Sequence, residues 1–246
     1  MVASLVLPWL LWASMLVLFD IDSTLINTTG SGIRALESAG RAIFGPSFRT
    51  DRTEVAGRLD PLILRDLLRD NGVEDTAENL GRLRAGYRER ITEILRPPGS
   101  ERPLPGVPEL LLALSGVKGV MLGLLTGNFA DTGRIKLRAC GIDPGVFAIA
   151  VWGDGSSHDP PSRDHLPPLA LSAYRQRTGV SLPPDRATIV GDTPHDVRCA
   201  LASGMRCLGV GTGSYPAEEL SRCGAHRAVA DLSDTDGVLG WLLGPG

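Results

Sequence analysis

Leu16-Val17-Leu18-Phe19-Asp20-Ile21-Asp22-Ser23-Thr24 is the stretch from which the fold is read. Four apolar residues run without interruption and then meet two carboxylates spaced two apart. A continuous apolar run of this length reads as a strand buried on both faces, as in a parallel sheet. Working outward, two more runs have the same construction. Val120–Leu125 leads into Thr126-Gly127-Asn128, and residues 187–190 lead into Gly191-Asp192-Thr193-Pro194. Helix-compatible segments follow at 131–139 and 196–203. Strands alternating with helices predict an α/β fold built on a doubly wound parallel sheet. Ligands in such sheets lie beyond the carboxyl ends of the strands, so the polar residues after all three runs converge on one crevice.

Residues 30–99 break the alternation. Segments 33–44, 60–71 and 76–95 have helical periodicity and no strand signals. Leu62, Leu64, Leu67 and Leu68 give the second an apolar face, Gly72 supplies a stop, and Pro97-Pro98-Gly99 closes the segment. The expected organisation is therefore a helical insert at 30–99 within an α/β domain formed by 15–29 and 100–246. A helix at 107–114 leads back into the sheet.

The chemistry sits at the strand ends. Asp20 and Asp22, joined by Asp192 and Asp196 from another strand end, make a hard oxygen cluster suited to Mg²⁺. Asp20 comes directly off its strand and is the candidate nucleophile. Asp22 is then the candidate acid for the leaving group and base for water. Thr126 offers a hydroxyl, and the Gly127 and Asn128 amides are expected at a helix start, where anions bind readily. Each element has a plainer reading as a turn or a capped helix. Three in one chain, each after a buried run, make the stronger case.

Composition narrows the classes. The chain has 246 residues and a formal net charge of −3, with 43% hydrophobic and 22% charged residues. That is ordinary for a globular protein, long enough to bury a core without disulfides. The mildly acidic balance lacks the electrostatic footprint of a nucleic-acid binder. Cys140, Cys199, Cys207 and Cys223 show no zinc-like spacing and read as reduced thiols of a cytosolic protein. The first 14 residues are uncharged and apolar, but the strand after them leaves no membrane span and no basic start marks a signal. Translation from Met15 is the favoured reading; a surface appendage or a targeting signal are the others. Among 25 basic residues, only Lys118 and Lys136 are lysine.

These motifs, with Pro105-Gly106-Val107-Pro108-Glu109-Leu110-Leu111, resemble the phosphatase branch of the haloacid dehalogenase superfamily, nearest to phosphoglycolate-phosphatase-type proteins. The likeness runs from Met15 to the C-terminus. It implies a Mg²⁺-dependent phosphatase acting on a small phosphorylated metabolite through an aspartyl-phosphate on Asp20. Asp22 is implied as acid/base. Thr126 and the following amide are implied to hold the phosphoryl group. The Asp20 carboxylate, the Asp22 carbonyl and Asp192 are implied to hold the metal, supported by Asp196. The helical insert becomes a mobile cap, and Arg58 in its Ala56–Pro61 loop is a candidate contact to an anionic leaving group. Two departures stand out. Ser23 replaces the family's usual glycine, and Arg163 falls where the family carries lysine. Phosphosugar mutase activity and a catalytically weak binding protein are the alternatives.

Overall fold

The computed structural model describes residues 14–96, 99 and 101–244. The expected apolar extension therefore lies, up to residue 13, outside the described residues. In chain order the elements are β1 (Met15–Phe19), β2 (Ile26–Asn27), α1 (Ser31–Phe44), α2 (Asp60–Asp70), α3 (Ala77–Ile94), β3 (Arg102–Pro103), α4 (Val107–Ser115), β4 (Val120–Leu125), α5 (Ala130–Ala139), β5 (Ile149–Val151), α6 (Leu166–Thr178), β6 (Ala187–Gly191), α7 (Pro194–Ala202), β7 (Arg206–Val210), α8 (Ala217–Arg222), β8 (Arg227–Val229) and α9 (Thr235–Leu243).

The main sheet has six strands in the order β5-β4-β1-β6-β7-β8, all parallel. β1 is central, with β4 on one side and β6 on the other. The three strands expected from their apolar runs are thus three adjacent strands among the four inner ones. Alternation along β1 explains why both faces are covered. Leu16 and Leu18 pack with Leu166 and Tyr174 of α6 and Val197 of α7. Val17 and Phe19 pack with Leu110 and Leu114 of α4 and with Val238 and Leu242 of α9. Both sets are buried, the arrangement required of a parallel sheet.

The α1–α3 segment has its own apolar cluster, which includes Leu36, Leu67, Leu68, Leu83, Tyr87 and Ile91. The helix signals are those of ordinary capping. The Thr76 hydroxyl accepts from the Asn79 amide at the start of α3, and Gly72, at φ 69°, carries the chain out of α2. Phe129, from the sheet side, joins this cluster and ties it to the strand ends.

One helix start differs from expectation. α5 begins at Ala130, so the Gly127 and Asn128 amides belong to the loop before it. The cause is Phe129, which is extended and whose amide donates to Asp60 Oδ2 at 2.8 Å. All four cysteines are free thiols, three of them buried. Among the described residues no helix is long and apolar enough to cross a membrane.

Candidate active site

Asp20 follows β1 directly, and its amide still donates to Val190 O at 2.9 Å as though the strand continued. This anchors the carboxylate at the sheet's central switch point. Asp192 follows β6, and Asp196 sits in the first turn of α7. Carboxylate oxygens of Asp20, Asp192 and Asp196 lie within 4.8 Å of one another, and all three residues are buried. Thr24 Oγ1 donates to Asp192 Oδ1 at 3.1 Å. Asp196 Oδ2 accepts from the Thr193 amide at 3.1 Å and from its hydroxyl at 2.7 Å.

Arg163 lies on a short turn before α6 and is almost fully buried. Its Nη2 is 2.5 Å from Asp196 Oδ1 and 3.3 Å from Asp20 Oδ1. Nη1 donates to Gly57 O at 3.2 Å. The guanidinium therefore touches the candidate nucleophile, a supporting carboxylate and the loop leading into α2. Burial works against its charge, but Asp196 and Asp20 outweigh burial and hold Arg163 protonated well above its ordinary value. Both Asp196 oxygens are engaged, Oδ1 by Arg163 and Oδ2 by Thr193, and Oδ1 keeps a lone pair for a metal, directly or through water.

Burial pushes the Asp20 carboxyl up to about 6, against the pull of Arg163. Burial, with the Asp20 and Asp196 charges adding, pushes Asp192 up to about 8. Carboxylates crowded into a dry site resist ionising together unless a further positive charge joins them. An all-oxygen set this close fits a hard divalent cation. Asp20, Asp192 and Asp196 are the carboxylates that could hold one.

Ser23 has φ 58°, in the left-handed region. The cost to a residue with a Cβ is about 1–2 kcal/mol, which is the physical reason a glycine suits this turn. The turn is held by the Ser23 amide donating to Ile26 O at 2.9 Å and by Thr212 Oγ1 donating to Ser23 O. Gly127 meets a different need. A Cβ there would lie 2.2 Å from Arg58 O, so only glycine lets the Arg58 backbone cross it. The Asp60 amide donates to Gly127 O at 2.8 Å and closes that contact.

The Thr126 hydroxyl hydrogen-bonds the Asp20 carboxylate. Asn128 Nδ2 donates to Thr126 Oγ1 at 2.9 Å and to Asp22 Oδ2 at 2.9 Å. The Asn128 amide points inward to Thr126 Oγ1 at 3.3 Å. Arg58 is paired with Asp66 at 2.6 Å, each about a quarter exposed. It stands at the cavity but is not brought to the carboxylate cluster.

Three participants escape the sequence reading. Lys136, on α5, places Nζ 2.8 Å from Asp22 Oδ2 and 2.7 Å from Asn128 Oδ1. Burial opposes its charge, but Asp22, Tyr87 and Asp60 together raise it. Tyr87 reaches the same ammonium from α3. Burial pushes Asp60 up to about 6, with Lys136 pulling the other way. The scarcity of lysine in this arginine-rich chain is the one signal that marks Lys136 in the sequence.

Comparisons with known proteins agree with this geometry. The chain is 28% identical over 232 residues to "Probable phosphatase IndB" of Dickeya dadantii, covering 93% of this chain and 94% of that protein. It is 26% identical over 234 residues to a phosphoglycolate phosphatase of Rhodospirillum rubrum, covering 92% and 90%. A crystal structure of a hydrolase from Pseudomonas syringae superposes with a TM-score of 0.72 at 26% identity, covering 94% of this chain and 100% of that one. The family model for haloacid dehalogenase-like hydrolases matches residues 17–201, and the chain belongs to that family.

Proposed function

We propose that this protein is a Mg²⁺-dependent phosphatase of a small phosphomonoester, in the size class of phosphoglycolate, working through an aspartyl-phosphate. The observation that carries the reading is Asp20 itself: a buried carboxylate 3.3 Å from the Arg163 guanidinium, bonded to Thr126 and clustered with two further carboxylates. The names of the relatives point the same way.

In this reading Asp20 attacks phosphorus and the ester oxygen leaves. Asp22 gives that oxygen a proton, then takes one from the water that hydrolyses the aspartyl-phosphate. Asp22 Oδ2 is held by Lys136 and Asn128, so Oδ1 is the oxygen that meets the leaving group. Thr126 orients Asp20 and the incoming phosphoryl group. Arg163 offsets the repulsion between an anionic nucleophile and an anionic substrate, replacing the family's lysine with a wider, forked cation. Asp20, the Asp22 carbonyl and Asp192, supported by Asp196, would hold Mg²⁺, which when bound would supply charge neutralisation to the transferring phosphoryl group. Residues 30–99 act as the cap that shuts the site from water. Bonds from Arg163 to Gly57 and from Phe129 to Asp60 join that segment to the strand ends.

The test is hydrolysis of nitrophenyl phosphate with Mg²⁺ by the wild type and by Asp20→Asn. Activity that depends on the metal and vanishes in the variant is expected. An Asp20→Asn protein with full turnover sinks the mechanism.

A further inference from the structure

A cavity of about 220 Å³ lies between the strand ends and the α1–α3 segment. Ligand pockets commonly run to about 300–1,000 Å³, so this one holds a phosphoryl group and a few carbons. Resting on the phosphatase reading, we propose that the leaving group is a compact, uncharged alcohol, and that the site selects against esters carrying a carboxylate or a second phosphate.

The argument is one of charge. Three cations line the cavity: Arg58, Lys136 and Arg163. Each is already held by a carboxylate of this chain. Arg58 is 2.6 Å from Asp66, Lys136 is 2.8 Å from Asp22, and Arg163 is 2.5 Å from Asp196 and 3.3 Å from Asp20. Asp60 and Asp192 line the cavity together with Asp20 and Asp22, so four carboxylates face three cations there. A divalent ion and the phosphoryl group it neutralises leave that imbalance in place. A second anion on the substrate therefore enters a negative field, and among the described lining residues no cation is unclaimed. Like charges in a low-dielectric site repel strongly enough to decide specificity.

The wall suits an uncharged group. Ile33, Leu36, Val55 and Ile63 supply apolar surface. Gly32 has no side chain between them and the polar floor: a Cβ there would lie 3.5 Å from both Lys136 Nζ and Tyr87 Oη. The carbons of a small alcohol rest on the apolar wall, and a hydroxyl reaches Tyr87.

The experiment compares hydroxyethyl phosphate with phosphoglycolate, which match in carbon count and differ in charge. Nitrophenyl phosphate serves as the reference, with the full chain and Mg²⁺. We expect kcat/KM at least about tenfold higher for hydroxyethyl phosphate. In Asp66→Asn, which frees Arg58, the ratio narrows through a lower KM for phosphoglycolate. Phosphoglycolate turned over as well as or better than its neutral partner overturns the proposal. A ratio unmoved in Asp66→Asn overturns the claim that internal pairing sets it. Hydrolysis of nitrophenyl phosphate alone overturns the size limit and leaves the phosphatase reading standing. Failure of all three esters removes the phosphatase reading and this proposal with it.

Discussion

Lys136 Nζ stands 2.8 Å from Asp22 Oδ2, and the two residues are 114 positions apart in the chain. The lysine is buried while Asp22 is 40% exposed at its side chain, so the cation is fixed and the carboxylate it holds faces the cavity. Lys136 also grips Asn128, which in turn holds Thr126. One ammonium thus positions both the candidate acid/base and the residue behind the candidate phosphoryl-binding hydroxyl.

Replacing Lys136 with Met therefore frees Asp22 to rotate and leaves Asn128 short of a donor. Turnover is expected to fall about 10–100-fold with KM little changed, because the loss is of orientation. The stability cost is about 1–2 kcal/mol, kept modest by the exposure of Asp22. Steady-state kinetics with a thermal melt checks both. Unchanged kcat removes the positioning role.

Arg163→Ala strips the guanidinium from Asp20 and strands Asp196 in a dry site. A drop of about 10²–10³-fold in kcat is expected from losing a preorganised charge at the reacting centre. Breaking a pair this deeply buried costs about 3–5 kcal/mol. Arg163→Lys restores the charge and part of the rate, while losing the second arm that reaches Gly57. If the alanine and lysine variants are equally slow, charge is not what Arg163 supplies.

The raised carboxyls make metal-free stability depend on pH with a definite sign. Asp20 at about 6 and Asp192 at about 8 both stand above their ordinary value of 3.8. Between those values the native state holds more protons than the unfolded chain. Their contribution is complete below the ordinary value and is lost as pH rises through about 6 and then about 8. In chelator, the melting temperature is expected to fall from about pH 5 to about pH 9. Mg²⁺, which binds the ionised forms, restores more at the upper pH than at the lower. A metal effect of equal size at both pH values contradicts this.

Gly127→Ala tests the crossing of the Arg58 backbone. The added methyl meets Arg58 O at 2.2 Å, and a backbone oxygen cannot swing aside as a side chain does. The loop must shift, carrying Arg58 and Asp60 away from the strand end. Destabilisation of about 1–3 kcal/mol is expected, along with a raised KM. The same change at Gly81, where a Cβ meets nothing within 4 Å, serves as the control.

Local pattern determined a large share of this protein. The apolar runs before Asp20, Thr126 and Asp192 encode burial on both faces, which is why β1, β4 and β6 were legible as strands of one parallel sheet. The helices at α1–α3 announced themselves through periodicity and the Gly72 stop. β5 and β8, three residues each, carry too little pattern to stand out, and β7 opens on the buried Arg206. What only the tertiary structure decided is which charges meet. Arg58 looked outward to a substrate and is taken by Asp66; Lys136 looked like an ordinary helix residue and holds Asp22. Ion pairing depends on distance in space and on exclusion of water, and neither is written in the spacing of residues along the chain.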